Sequence, residues 1–268
     1  MFGKYMKYEM KSMGRILLPL YIALVVAAIV FSFNIKLTMN RTVAGILEHF
    51  AIITSILFIC MVIAVFIVTV FLILQRFYRN LLGNEGYLMF TLPVNTFTHI
   101  AGKALSSMIW IFAGVIAGGV AGIISVSIFS SVPEFLRELR EAWDVLVQNG
   151  LAVRNITMII IMLVLGILES ILKVYASMSV GHQWNGHRLL GSVFAYVGFS
   201  IIEGVLSTLF ARAMNGMGFG SLGMIQVSSS GEILMPNVVR FSLIVTAVQI
   251  LVYGYITWYL LDRRLNLE

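Results

Sequence analysis

Two glutamates and a lysine fall inside long apolar runs of this chain: Glu169, Lys173 and Glu203. An ionised side chain at the centre of a bilayer costs about 3 kcal/mol or more, so such residues are functional candidates by default. Glu169 and Lys173 are four apart and share a helical face, and an ion pair along one helix accounts for them without further function. Glu203 has no such neighbour in the sequence. A carboxyl there suits gating an exit path, contacting a cationic substrate, or holding backbone. Other chemistry is sparse. His182 and His187 flank Trp184 at a spacing that puts them on different sides of a helix, and no cysteine or nearby carboxylate completes a metal set. They read as interfacial residues, with Trp184 as a membrane-surface anchor. Cys60 is the single cysteine, so no disulfide can form within the chain. No nucleophile–base arrangement stands out, nor a His-x-x-Glu-His set, nor a Gly-x-x-x-x-Gly-Lys-Ser/Thr phosphate loop. The expectation is a chain with no catalytic residues, no metal and no cofactor of its own.

The elements that position these residues follow from composition. Of 268 residues, 60% are hydrophobic and 11% charged, against about 25% charged in soluble domains. That excludes a water-soluble fold. Six stretches reach the roughly 20 apolar residues needed to cross hydrocarbon: 16–33, 50–74, 104–129, 156–175, 189–210 and 238–261. The first is too long for the core of a cleaved signal and is expected to be a retained span. An even number of spans puts both ends of the chain on one side. With those ends cytosolic, 11 of the 18 basic residues lie on that face, among them Lys4, Lys7, Lys11, Arg15, Arg76, Arg79 and Arg188. This positive-inside bias places both termini in the cytosol. The net charge of +6 is then explained by orientation and membrane lipid rather than nucleic acid.

The connections have character of their own. Over residues 1–14, Lys4, Lys7 and Lys11, continued by Arg15, recur every three or four positions, while Phe2, Met6, Met10 and Met13 crowd the other side. That spacing predicts an amphipathic helix on the inner membrane surface. Residues 131–153 predict an outer amphipathic helix, with Phe135, Leu136, Leu139 and Trp143 at helical spacing and Arg137–Glu141 and Arg140–Asp144 as i,i+4 pairs. Residues 211–237 are too apolar for a free loop and too rich in glycine for a seventh span. A re-entrant hairpin on the outer side is expected, its backbone covered by protein or a cavity. The third span carries Gly102, Ser106, Gly114, Gly118 and Gly122 in an i,i+4 series broken by Trp110, a stripe that lets a neighbouring helix pack closely, within one subunit or between two. The fold class is an all-α polytopic membrane protein, with one transmembrane domain over residues 1–268.

The cytosolic connection 75–98 is the most specific. Arg76 and Arg79 follow the second span, and Asn84-Glu85-Gly86-Tyr87-Leu88-Met89-Phe90-Thr91-Leu92-Pro93-Val94 comes next. This connection is amphipathic, interrupted by Gly83 and Gly86 and closed by Pro93, and predicts a short surface helix. It resembles the cytosolic loop of small ABC transporter permeases from Gram-positive, clostridial-type bacteria, with Met89 standing where those loops more commonly carry threonine. The run from Gly181 to Ser192, Gly-His-Gln-Trp-Asn-Gly-His-Arg-Leu-Leu-Gly-Ser, is similar to their second cytosolic loop. The order of elements is similar to the permease subunits of type-2 ABC exporters.

What the resemblance implies is a transmembrane subunit of the bacterial plasma membrane that moves a hydrophobic or amphipathic substrate, such as a lipid, a drug or an antimicrobial peptide. A separate ABC ATPase would supply ATP hydrolysis, with ATP and Mg bound there. A second permease, identical or related, would complete a dimer. Residues 75–94 would form the coupling helix, with Tyr87, Leu88 and Phe90 entering a groove on the ATPase and Arg79 and Glu85 fixing register. Two other readings stay open. A membrane scaffold or sensor would use the same loop to bind a signalling partner. A membrane-embedded enzyme would need a convergent polar set that the sequence does not display.

Overall fold

Backbone polar groups have no water to bond in hydrocarbon, so long apolar segments close their hydrogen bonds internally as helices. Six do so here: α1 (Phe2–Met39), α2 (Ile46–Phe77), α3 (Thr96–Val126), α4 (Gly150–Gly181), α5 (Arg188–Gly216) and α6 (Asn237–Arg263). The computed structural model describes residues 2–39, 46–83, 86, 95–126, 134, 136–138, 140–141, 143–144, 150–184, 186–216, 226–227, 233–234 and 237–263. Each of the six helices is long and apolar enough to cross a membrane, so the chain is a multi-pass membrane protein.

The segment expected as a separate surface helix over residues 1–14 is continuous with the first span. α1 runs unbroken for 38 residues, about 57 Å at 1.5 Å per residue and roughly twice the hydrocarbon thickness. Pro19 lies inside it and removes the amide that would bond the Arg15 carbonyl. The basic edge follows the predicted spacing, but the apolar side is shifted: of Phe2, Met6, Met10 and Met13 only Met13 is buried, and Phe2 is exposed. Lys4, Lys7, Lys11 and Arg15 are exposed, while Glu9, Met13, Leu17, Tyr21, Leu24 and Ala28 form a buried stripe. α2 ends in a π-helical turn, Tyr78–Leu82, with Leu81 and Leu82 buried. In the glycine-rich segment 211–237, the described residues hold a short antiparallel pair, β1 (Gln226–Val227) and β2 (Ile233–Leu234), in register Gln226↔Leu234 and Val227↔Ile233. In the segment 131–153, Arg137 and Glu141 make the expected i,i+4 pair at 3.4 Å, both exposed.

The chain folds as two units. The first comprises residues Met1–Gln75 and Leu105–Trp143. Lipid tails are as apolar as leucine, so helices here associate through close fit and hydrogen bonds rather than by hydrophobic drive. The Tyr21 hydroxyl donates to the Trp110 carbonyl at 2.9 Å and lies 3.3 Å from Thr69 Oγ1, joining α1 to α3 and α2. Gly14 makes room for Trp110: a Cβ there would come within 2.8 Å of the indole ring. Farther along, Ser32 Oγ donates to the Ile124 carbonyl at 3.0 Å, and Phe31 stacks on Phe58 with centroids 4.9 Å apart.

The second unit comprises Arg76–Ala104 and Asp144–Glu268. α4 packs against both α5 and α6. The α4–α5 reversal is tight because it is built on glycine. A Cβ on Gly181 would lie 2.1 Å from the Ser192 amide nitrogen, and one on Gly191 would lie 3.0 Å from the Gly181 carbonyl oxygen. Gly186 takes φ +93°, a backbone region that glycine enters at no steric cost. Phe77, at the end of α2, stacks on Tyr175 of α4.

Candidate functional site

A polar cluster joins α4, α5 and α6 within the second unit. Lys173 Nζ donates to Glu203 Oε2, and Tyr253 Oη donates to Glu203 Oε1. The Lys173 ammonium also sits 5.1 Å from the centroid of the Tyr196 ring, close enough for a cation–π attraction. Phe199 covers Tyr253 with ring centroids 5.3 Å apart. Lys173 and Tyr253 are buried. Glu169 is one turn before Lys173 on α4, and its Oε1 is buried with no hydrogen-bond partner.

Two expectations are corrected by this geometry. Lys173 ties across to α5 rather than along α4 to Glu169, and Glu203 therefore has partners on two other helices. The physical reason is reach. The short α4–α5 turn sets two antiparallel helices side by side, and a lysine stem spans the gap to the facing carboxyl. The contribution of Tyr253, fifty residues beyond Glu203, has no local signal in the sequence at all.

A second cluster gathers at one end of the same unit. Tyr78, in the π turn that follows α2, packs edge-on against His182 in the α4–α5 turn, with centroids 6.3 Å apart. Thr96, the first residue of α3, donates to Asp262 at the end of α6 at 3.1 Å. The α2–α3 connection, the α4–α5 turn and the end of α6 thus converge. Arg79 is in the π turn and exposed. The other residues expected to couple to a partner, Glu85, Tyr87, Leu88 and Phe90, lie outside the described residues. His182, expected at a membrane surface, is buried. His99 and Lys103 are fully buried one turn apart on α3. The sequence reading did not single out His99. The signal was available as two polar residues at i,i+4 in the first turns of an otherwise apolar helix.

The glycine stripe of α3 divides into two parts. A Cβ on Gly114 would meet the Tyr21 hydroxyl at 3.0 Å, whereas on Gly118 or Gly122 it would meet nothing within 4 Å. Among the described residues no group of three or more His, Cys, Asp or Glu side chains is placed to hold a metal ion.

The fold and this geometry define a multi-pass helical membrane protein with a partly buried Lys–Glu–Tyr cluster joining three of its helices. No protein-family model matches the chain, and no curated protein or solved structure matches it.

Proposed function

We propose that the chain is the transmembrane permease subunit of an ATP-driven ABC exporter, and that it moves a hydrophobic or amphipathic substrate by alternating access. The observation that carries this reading is the contact between Tyr78 and His182. It brings together the two connections whose sequences resemble ABC permease loops, 75–94 and 181–192. The turn that leads into the first motif-bearing run is thus held against the turn that opens the second, which suits a surface that one cytosolic partner engages through both. Two such permeases and two ATPase subunits make the working unit, and ATP and Mg belong to the ATPase. In the coupling helix, Tyr87 and Phe90 are three apart and share a face, so both enter one groove. Leu88 adds apolar area beside them, while Glu85 and Arg79 set register at the rim.

The test is copurification from the native host, followed by assay of the purified complex for substrate-stimulated ATP hydrolysis. The chain alone should not turn over ATP. Tyr87→Ala combined with Phe90→Ala should leave the permease in the membrane and weaken the ATPase by about 2 kcal/mol, or roughly thirty-fold. Trp143→Ala in the outer segment should leave assembly untouched. Full assembly and full stimulation in the double variant would remove the coupling role of the loop. Capture of a signalling protein in place of an ATPase would make the chain a scaffold or sensor.

A further inference from the structure

The cluster on α4, α5 and α6 holds more acid than base. Lys173 brings one positive charge, Glu169 and Glu203 bring two carboxyls, and Tyr196 and Tyr253 are phenols. With both carboxyls ionised, the cluster would leave one negative charge without a counter-ion inside three membrane-crossing helices. Breaking the balance of a buried pair in this way is strongly unfavourable. Lys173 and Tyr253 both donate to Glu203, and neither donates to Glu169 Oε1. Glu169 Oε1 is buried and receives no donor, and Glu169 stands one turn before Lys173, on the face of α4 that meets Glu203. Two carboxylates only accept. Two facing carboxyls form a stable contact when a single proton lies between them, as in carboxyl dyads where like charges cannot both ionise.

We propose that the Glu169–Glu203 carboxyl pair is a proton-binding site in the membrane interior, holding one proton that balances the cluster against the Lys173 ammonium. In the loaded state the Glu169 hydroxyl donates to Glu203, whose carboxylate also accepts from Lys173 and Tyr253. On release, the Glu169 O–H bond breaks, the proton goes to water, and both carboxylates are left facing a single ammonium. Three elements bear on the pair: α4 with Lys173, α5 with Tyr196, and α6 with Tyr253. Only Lys173 among these is a cation, so release of the proton leaves an uncompensated charge until a proton or another cation returns. The inference rests on this cluster and not on the identity of any partner, so it stands or falls separately from the exporter reading.

The experiment is infrared difference spectroscopy on the purified full chain in lipid nanodiscs, in light and heavy water. The wild type should show one protonated-carboxyl carbonyl band at neutral pH. The band should shift on deuteration and be lost reversibly on alkaline titration. Glu169→Gln should lose it, and Glu134→Gln, at an exposed position, should keep it. A wild type without such a band at neutral pH overturns the proposal. So does a band that survives in Glu169→Gln. The wild-type titration and the Glu169→Gln comparison decide the matter even where Glu203→Gln fails to fold.

Discussion

Phe77 and Tyr175 lie face to face, with ring centroids 3.8 Å apart and planes within 9° of parallel. Both rings are essentially inaccessible, at 0% and 1%. The stack fixes the last residue of α2 to α4, directly before the chain leaves for the 78–95 connection. Phe77→Ala removes a fully buried aromatic ring and should cost about 3 kcal/mol. Phe77→Leu should recover most of that. Thermal unfolding in detergent, read by intrinsic fluorescence, measures both. Equal stability of Phe77→Ala and wild type would show that the stack does not hold the connection.

Gly181 should tolerate no side chain. A methyl group there would sit 2.1 Å from the Ser192 nitrogen and 2.5 Å from its Cα, which are backbone atoms on the facing helix. Gly181→Ala must push α5 away from α4, and the expected result is a folding yield reduced to near background. Gly204→Ala is the matched control, because a Cβ at Gly204 meets nothing within 4 Å. Yield of monodisperse protein after detergent extraction compares the two. Normal yield of Gly181→Ala would mean that the α4–α5 turn packs more loosely than described.

The Lys173–Glu203 tie should show non-additivity. Lys173→Met leaves the partly buried Glu203 carboxyl without its cation and should destabilise by about 3 kcal/mol. Adding Glu203→Leu removes the orphaned charge, so the double variant should be more stable than Lys173→Met alone. A double-mutant cycle by unfolding in mixed detergent micelles reads the coupling. Additive effects would show that the two side chains do not depend on each other.

Orientation is open to direct labelling. The basic-residue bias predicts that single cysteines placed at Ser12 and Asn266, in a chain with Cys60→Ser, react with a membrane-impermeant reagent only from the cytosolic side. A cysteine at Gln148 should react only from outside. Reaction of the Gln148 position from the cytosol would reverse the topology or change the number of crossings.

The six long helices were legible because length and apolar content are local properties, and the sequence carries them openly over residues such as 50–74 and 156–175. The ends of the helices were less so. The first helix starts at Phe2 rather than near Ile16, because polar side chains such as Lys7 and Lys11 continue a helix in water as readily as apolar ones do in lipid. Glu169, Lys173 and Glu203 were each visible as misplaced charges, yet their pairing was not. The i,i+4 rule favoured Glu169 with Lys173, and only the tight reversal at Gly181 and Gly191 sets which residues of α4 and α5 face one another. Tyr253 was silent, since a tyrosine in an apolar span looks the same whether it faces lipid or a carboxylate. Gly114 was legible as a small residue, but not its partner, the Tyr21 ring.

A rod about twice as long as the hydrocarbon is thick behaves as a lever. Membrane helices tilt to fit the bilayer they occupy, and α1 carries some 15 residues on the amino side of Pro19, from Lys4 onward. At 1.5 Å per residue that arm is about 22 Å long, so a tilt of roughly 10° about the proline moves Lys4 by about 4 Å. The exposed basic edge is carried on that arm. Any tilt that fits α1 to its bilayer therefore also moves positive charge.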